Sequence, residues 1–191
     1  MPTDFVFRKR AVGTLLVNIG VYALCDLNGV PIYVGQSRDG IRRRVARHLT
    51  SARSDIIANR QVDVWEIAYV HAYPVDNIDQ IKPLEDVLYH HFNPQSALMN
   101  GTIPPVPNIQ LEIPEPAQIV QVMSDADIED RLDPTQRLPK QARHYAQIVE
   151  HFLEVKNSPQ IGRSMEAHFE RLQRYHGELL GNVGEDDPGE E

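Results

Sequence analysis

Two apolar runs separated by Asn28-Gly29 constrain this chain more than any other feature. The first runs from Val17 to Cys25 and the second from Val30 to Val34, closed by Gly35. An Asn-Gly pair between such runs is the strongest short-range signal for a two-residue β-hairpin turn. That turn sets Leu27 opposite Val30, Leu24 opposite Tyr33 and Tyr22 opposite Gly35. Side chains alternate with a period of two, so Tyr22, Leu24, Tyr33 and Gly35 share one face. The two tyrosines then lie on a cross-strand diagonal, roughly 7–8 Å apart. Gly35 has no side chain and leaves an open spot beside the Tyr22 phenol. Cys25 falls on the opposite face, where core packing is its expected role.

Past the hairpin, Ile41, Val45 and Leu49 recur at i, i+4, i+8, which predicts a helix over about 41–53. Arg44 and His48 stack on one ridge of it, and Arg42, Arg43 and Arg47 add charge around them. Two tyrosines, an arginine and a histidine brought together so locally suit a phosphate.

Read in order, these residues resemble the GIY-YIG nuclease family. The resemblance rests on Gly20-Val21-Tyr22, Tyr33-Val34-Gly35, and Arg44 followed by an apolar residue with His48 four positions on. It extends over residues 17–101 and takes in Glu85 on an amphipathic helix and Asn100 after an Asn93-Pro94 helix end. It implies an α/β (α+β) fold with a small antiparallel three-stranded sheet flanked by helices. It also implies a metal-dependent DNA endonuclease with Tyr22, Tyr33, Arg44, His48, Glu85 and Asn100 as catalytic residues. Glu85 is the natural hard-oxygen ligand for one Mg²⁺ or Mn²⁺. Arg44 can stabilise the transition state of phosphodiester hydrolysis. By resemblance Tyr22 is the general base, as a phenolate poised by nearby cations, with Tyr33 and His48 orienting the water; the residues themselves leave open which tyrosine serves. Asn100 is expected to hold Glu85 or the phosphate.

Two departures from the family pattern stand out. Some relatives carry a lysine where this chain has Gln36, so Arg38 or Arg42 is expected to supply that charge. The loop before the catalytic arginine is one residue longer than in many relatives, which makes Arg43 an alternative to Arg44. The stretch from Lys82 to Pro94 is most similar to the restriction-endonuclease branch, although the extension usual in that branch after Asn100 is missing.

The rest of the chain reads more plainly. Arg8, Lys9 and Arg10 mark an arm or first edge strand, and residues 54–62 a loop or short helix. Val62 to His71 alternates as a third strand, with Trp65, Ile67 and Tyr69 packing one face. Asp76 or Asp79 can cap a helix reaching Phe92, with Pro83 in its first turn. Domain boundaries are expected at 1–101 for the nuclease domain, 102–138 for a proline-rich and acidic linker, 139–181 for a helical hairpin, and 182–191 for a disordered acidic tail. The hairpin carries two apolar stripes, Ala142-Tyr145-Val149-Phe152 and Ile161-Met165-Phe169-Leu172-Leu179, with Ser158-Pro159 starting the second helix. It cannot bury both stripes alone. It should therefore dock on the nuclease domain or on a second copy, which makes a homodimer through these helices an expectation.

Composition narrows the function classes. One cysteine excludes an internal disulfide framework and a cysteine-rich zinc site. No stretch approaches the length of a membrane span, and a cytoplasmic protein is expected. The net charge of −8 argues against nucleic acid until its distribution is seen. Residues 1–60 hold 10 Lys+Arg against 4 Asp+Glu, leaving 9 against 23 in the remainder, so +6 and −14 sum to −8. Phosphate affinity depends on the local cations, so the basic half keeps DNA as the expected partner. Arg38, Arg42, Arg43 and Arg47 are the candidate DNA-binding residues. Two other readings compete with the nuclease. One is a non-catalytic module of the same fold that binds nucleic acid or protein, and the other is an inert structural subunit of a complex.

Overall fold

The computed structural model describes residues 3–51, 54–107 and 112–185. Its centre is an antiparallel sheet of four strands in the order β2-β1-β3-β4. Strand β1 spans Gly20–Cys25 and β2 spans Pro31–Ser37. Their register sets Tyr22 opposite Gly35 and Leu24 opposite Tyr33, as the Asn-Gly signal predicts. The turn itself is one residue longer than expected. Asp26 N donates to Val30 O, and Gly29, at φ 77°, donates to Asp26 O. This is a three-residue loop with glycine in the left-handed position, and the strands bulge after Leu24. Asp26 decides the matter, because its carboxylate accepts from both Asn28 N and Val30 N at 2.9 Å. Leu27 therefore does not face Val30.

Strand β1 is buried on both faces. On one face Tyr22 and Leu24 pack with Ile41, Val45 and Leu49 of helix α2 (Ile41–Thr50). On the other, Val21, Ala23 and Cys25 pack with Ile81 and Leu88 of α4 (Ile81–Phe92). Each such burial contributes about 1.5–3 kcal/mol. Asn77, rather than an aspartate, caps the short 3₁₀ turn Ile78–Gln80 that leads into α4. A four-residue helix, α3 (Asp55–Ala58), follows α2.

The N-terminal segment is a helix, α1 (Thr3–Val12), not an arm or edge strand; Val12 and Leu15 enter the core against α2 and Arg8 reaches Val122 O. The third strand begins later than its alternation suggested. Strand β3 is Tyr69–Pro74, and Val64–Glu66 is a 3₁₀ turn whose Trp65 amide is capped by the Asp63 side chain. Trp65 still packs, against Leu27 and Met123, with the Arg131 guanidinium over its ring at 5.1 Å. A fourth strand, β4 (Gln118–Gln121), arises within the stretch read as linker and pairs with β3. The same stretch also forms α5 (Asp125–Leu132) and the start of the next helix.

Two long helices, α6 (Pro134–Glu154) and α7 (Pro159–Glu185), form the expected hairpin. Residues 182–185 continue α7, and the remainder of the expected acidic tail lies outside the described residues. The hairpin docks on its own chain through a buried polar lock. Glu66 Oε1 accepts from Arg137 Nη2 at 2.5 Å and from Tyr175 Oη at 2.7 Å, while Gln141 donates to Oε2 at 2.8 Å. Asp26, fully buried, pairs with Arg171 and lies 3.6 Å from both Arg137 and Arg174. Asp26 and Glu66 of the sheet domain supply the carboxylates here, and the helical hairpin supplies the cations. The hairpin's inner face thus finds its partner within the chain. Among the described residues, no helix is long and apolar enough to cross a membrane.

Candidate active site

The site grows out of the β1–β2 hairpin. Tyr22 and Tyr33 project from one face with ring centroids 6.4 Å apart. The spot left by Gly35 is filled by the Tyr22 phenol, since a Cβ at Gly35 would strike Tyr22 Oη and Cζ. Helix α2 crosses that face and brings His48 down with Arg44 one turn earlier. Tyr22 Oη lies 2.8 Å from His48 Nε2, and His48 Nδ1 lies 2.7 Å from Ser54 Oγ. His48 and Ser54 are both 1% exposed and Tyr22 is fully buried. A chain of three polar groups therefore runs inward from the hairpin.

Burial sets the protonation of this chain. It pushes Tyr22 well above the ordinary phenol value; the neighbouring Tyr33 adds to the rise, and the Arg44 guanidinium opposes it. Tyr33 is pushed up to about 12, chiefly by burial. His48 is lowered to about 4 by burial and by Arg44. At neutral pH the phenols are protonated and the imidazole is neutral, ready to accept. That is the reverse of a preformed phenolate at Tyr22.

A cavity of about 490 Å³ opens beside β2, the edge strand. Tyr33, Glu85 and Asn100 line it together. Glu85 comes from α4, and burial raises its carboxyl above the usual value while Lys82 opposes the shift. Gln36 Nε2 donates to Glu85 Oε2 at 2.9 Å, and Lys82 Nζ lies 3.7 Å from the same oxygen. The position where relatives carry lysine thus holds an amide on the carboxylate, and the cation comes from Lys82. Among the described residues Glu85 is the one carboxylate lining the cavity, and no cluster of three metal-ligating side chains exists. This donor set fits a hard divalent cation completed by water and phosphate oxygens. Asn100 does other work than expected. Its Oδ1 accepts from Val34 N at 3.0 Å and its Nδ2 donates to Val34 O at 2.7 Å, covering the open edge of β2.

The arginines divide. Arg44 stands against Tyr22, and the buried Nε atoms of Arg44 and Arg47 lack a hydrogen-bond partner among the described residues. Arg42 spends its Nε on Leu15 O at 2.6 Å, which ties α2 to the segment after α1. Arg43 is exposed and lies 3.4 Å from Asp39, away from the tyrosines, so Arg44 keeps the central place. Arg38 is exposed in the loop before α2. Sequence reasoning missed Ser54, Lys82, Gln61 and Gln160; of these only Lys82, one helical turn before Glu85, carried a local signal.

A fixed cation beside a carboxylate, with a neutral imidazole behind a phenol, is equipment for moving a proton next to a phosphate. The class it defines is a nuclease-type domain. Residues 18–97 match the family described as the GIY-YIG catalytic domain. No curated protein and no solved structure matches the chain.

Proposed function

We propose that the protein is a metal-dependent endonuclease that hydrolyses phosphodiester bonds in DNA, using Mg²⁺ or Mn²⁺ held by Glu85. The observation that carries this reading is the Tyr22–His48–Ser54 chain meeting Arg44 beside the cavity that Tyr33 and Glu85 share. Tyr33 faces the cavity and orients the attacking water. Tyr22 receives the water's proton while passing its own to His48 Nε2, so negative charge never rests on the buried phenol. Ser54 Oγ then accepts from Nδ1–H and steadies the imidazolium. Arg44, which stands against Tyr22, binds the phosphate oxygens and stabilises their developing charge. A bound divalent cation supplies polarisation of the scissile phosphate.

DNA is the substrate that the basic first sixty residues favour, in a cytoplasmic setting. Restriction or repair is the proposed role, and the similarity of the Lys82–Pro94 stretch supports restriction. The test is cleavage of supercoiled plasmid with Mg²⁺ or Mn²⁺, wild type beside Glu85→Ala. Cleavage should disappear in the variant and on adding a chelator, while DNA binding stays within about threefold. Discrete fragments would support restriction, whereas preference for damaged or branched DNA would support repair. A variant that cuts like wild type would overturn the assignment.

A further inference from the structure

The cavity beside Glu85 is larger and less polar than hydrolysis of a phosphate requires. Beyond the catalytic wall it continues between Tyr89 and the segment Gly101–Pro105, where Ile103, Pro104 and Pro105 add an apolar lining. Two carboxamides face this space, Gln61 from the loop after α3 and Gln160 from the first turn of α7. Neither side chain makes a hydrogen bond among the described residues, although Gln61 is only 9% exposed. Gln160 is exposed, and the Gln61 amide still reaches solvent although the rest of that residue is buried, so both are open to a ligand. The Gln61 amide and the aliphatic stem of Gln160 lie against Gly101, where a Cβ would strike Gln61 Nε2 and Gln160 Cβ. The hairpin fixes this wall. Arg163, on the next turn of α7, donates to Asn100 O at 3.1 Å and also holds Tyr89 Oη. His90 secures the proline segment through Pro104 O at 2.9 Å.

We propose that this part of the cavity is a nucleobase pocket, in which Gln61 and Gln160 hydrogen-bond the edge of an unpaired base adjoining the scissile phosphate. The proposal rests on the nuclease reading and names its substrate class. A carboxamide offers a donor and an acceptor side by side, the pattern that a base edge complements. The segment Ile103–Pro105 supplies an apolar face against which a base can lie. A base stacked within continuous duplex cannot enter a recess of this kind, so the substrate carries an unpaired nucleotide at the cut, as in a flap, a mismatch or a single strand.

The experiment compares wild type, Gln61→Leu and Gln160→Leu on three DNAs: a continuous duplex, the same duplex with one unpaired nucleotide beside the cut, and that DNA with the nucleotide made abasic. Wild type should cut the unpaired substrate at least about tenfold better in kcat/KM than the duplex, and each variant should lose about tenfold on it, mostly in KM. The abasic lesion should bring wild type down to the variants' level and lower the variants no further. Equal cutting of duplex and unpaired DNA by wild type, or an added loss in the variants on the abasic substrate, would overturn the pocket. A second measurement separates this from failure of the nuclease reading. Binding of a DNA carrying 2-aminopurine at the unpaired position is followed by fluorescence, with no catalysis needed. A change in the probe's emission that both variants weaken supports the pocket even if no DNA is cut; an unchanged signal refutes it even if cutting is efficient.

Discussion

In the proposed relay, His48 occupies the position where proton transfer is decided. It is buried, neutral and lowered to about 4, and it accepts from a phenol that burial keeps protonated. A mechanism that needed free phenolate would climb roughly tenfold per pH unit through neutrality, since phenols ordinarily ionise near 10. The relay predicts a flat kcat/KM between pH 7 and 9, with no inflection at the ordinary imidazole value of about 6.5. Stability moves as well. Between about 6.5 and about 4 the unfolded chain binds a proton at His48 that the fold refuses, so the folded state loses ground as pH falls through that window. A pH–rate profile together with urea midpoints at pH 5 and 7 checks both. The residues in this relay that belong to the ordered motif were legible in the sequence. Ser54 was not, because a lone serine after a helix gives no hint of the ring nitrogen it will meet. Gln61 and Gln160 were hidden for the same reason, ninety-eight residues of chain lying between them.

At the scale of the element, the hairpin does more than carry two tyrosines. Gly35 is there because the Tyr22 phenol lies where its side chain would be. Gly35→Ala should displace that phenol from His48, lowering kcat/KM by at least about tenfold and costing about 1–3 kcal/mol of stability. Single-turnover cleavage and urea denaturation measure the two effects; wild-type cleavage by the variant would mean that the Tyr22–His48 contact is dispensable. The pairing of Tyr22 with Gly35 was readable from Asn28-Gly29, yet the turn was not. Asp26 captures two amides and lengthens it, a choice that local propensity does not reveal. Strand β3 was misplaced for a similar cause. Glu66 sits in the alternating pattern but serves as a buried acceptor for Arg137, Gln141 and Tyr175, so the chain turns there before the strand begins. Strand β4 had no signal beyond its four residues, and the prolines before it pointed to a linker.

For the molecule as a whole, the lock between sheet and hairpin settles how many cooperative pieces there are. Arg137 is almost fully buried, and its guanidinium serves Glu66, Asn28 and Asp26 together. Arg137→Met leaves those carboxylates short of a counter-charge inside the protein and should cost about 3–5 kcal/mol. Adding Glu66→Leu should recover part of that loss, because removing both partners avoids an orphaned charge. Chemical denaturation reads both effects; a single variant as stable as wild type would mean that the hairpin docks without the lock. The expectation that the helices need a surface to cover was readable from their two stripes. Which surface it would be was not, since the arginines concerned are far from their carboxylates in the chain.

That separation also sets an order of assembly. Asp26 meets Arg171 only after 145 further residues have been made, and Gln160 reaches the cavity on the same helix. On the ribosome the candidate site residues up to Asn100 emerge first, facing a cleft with one side absent. That side is closed by α7, so the walled cavity forms only once Gln160 has been made, and a chain abandoned before it lacks that wall.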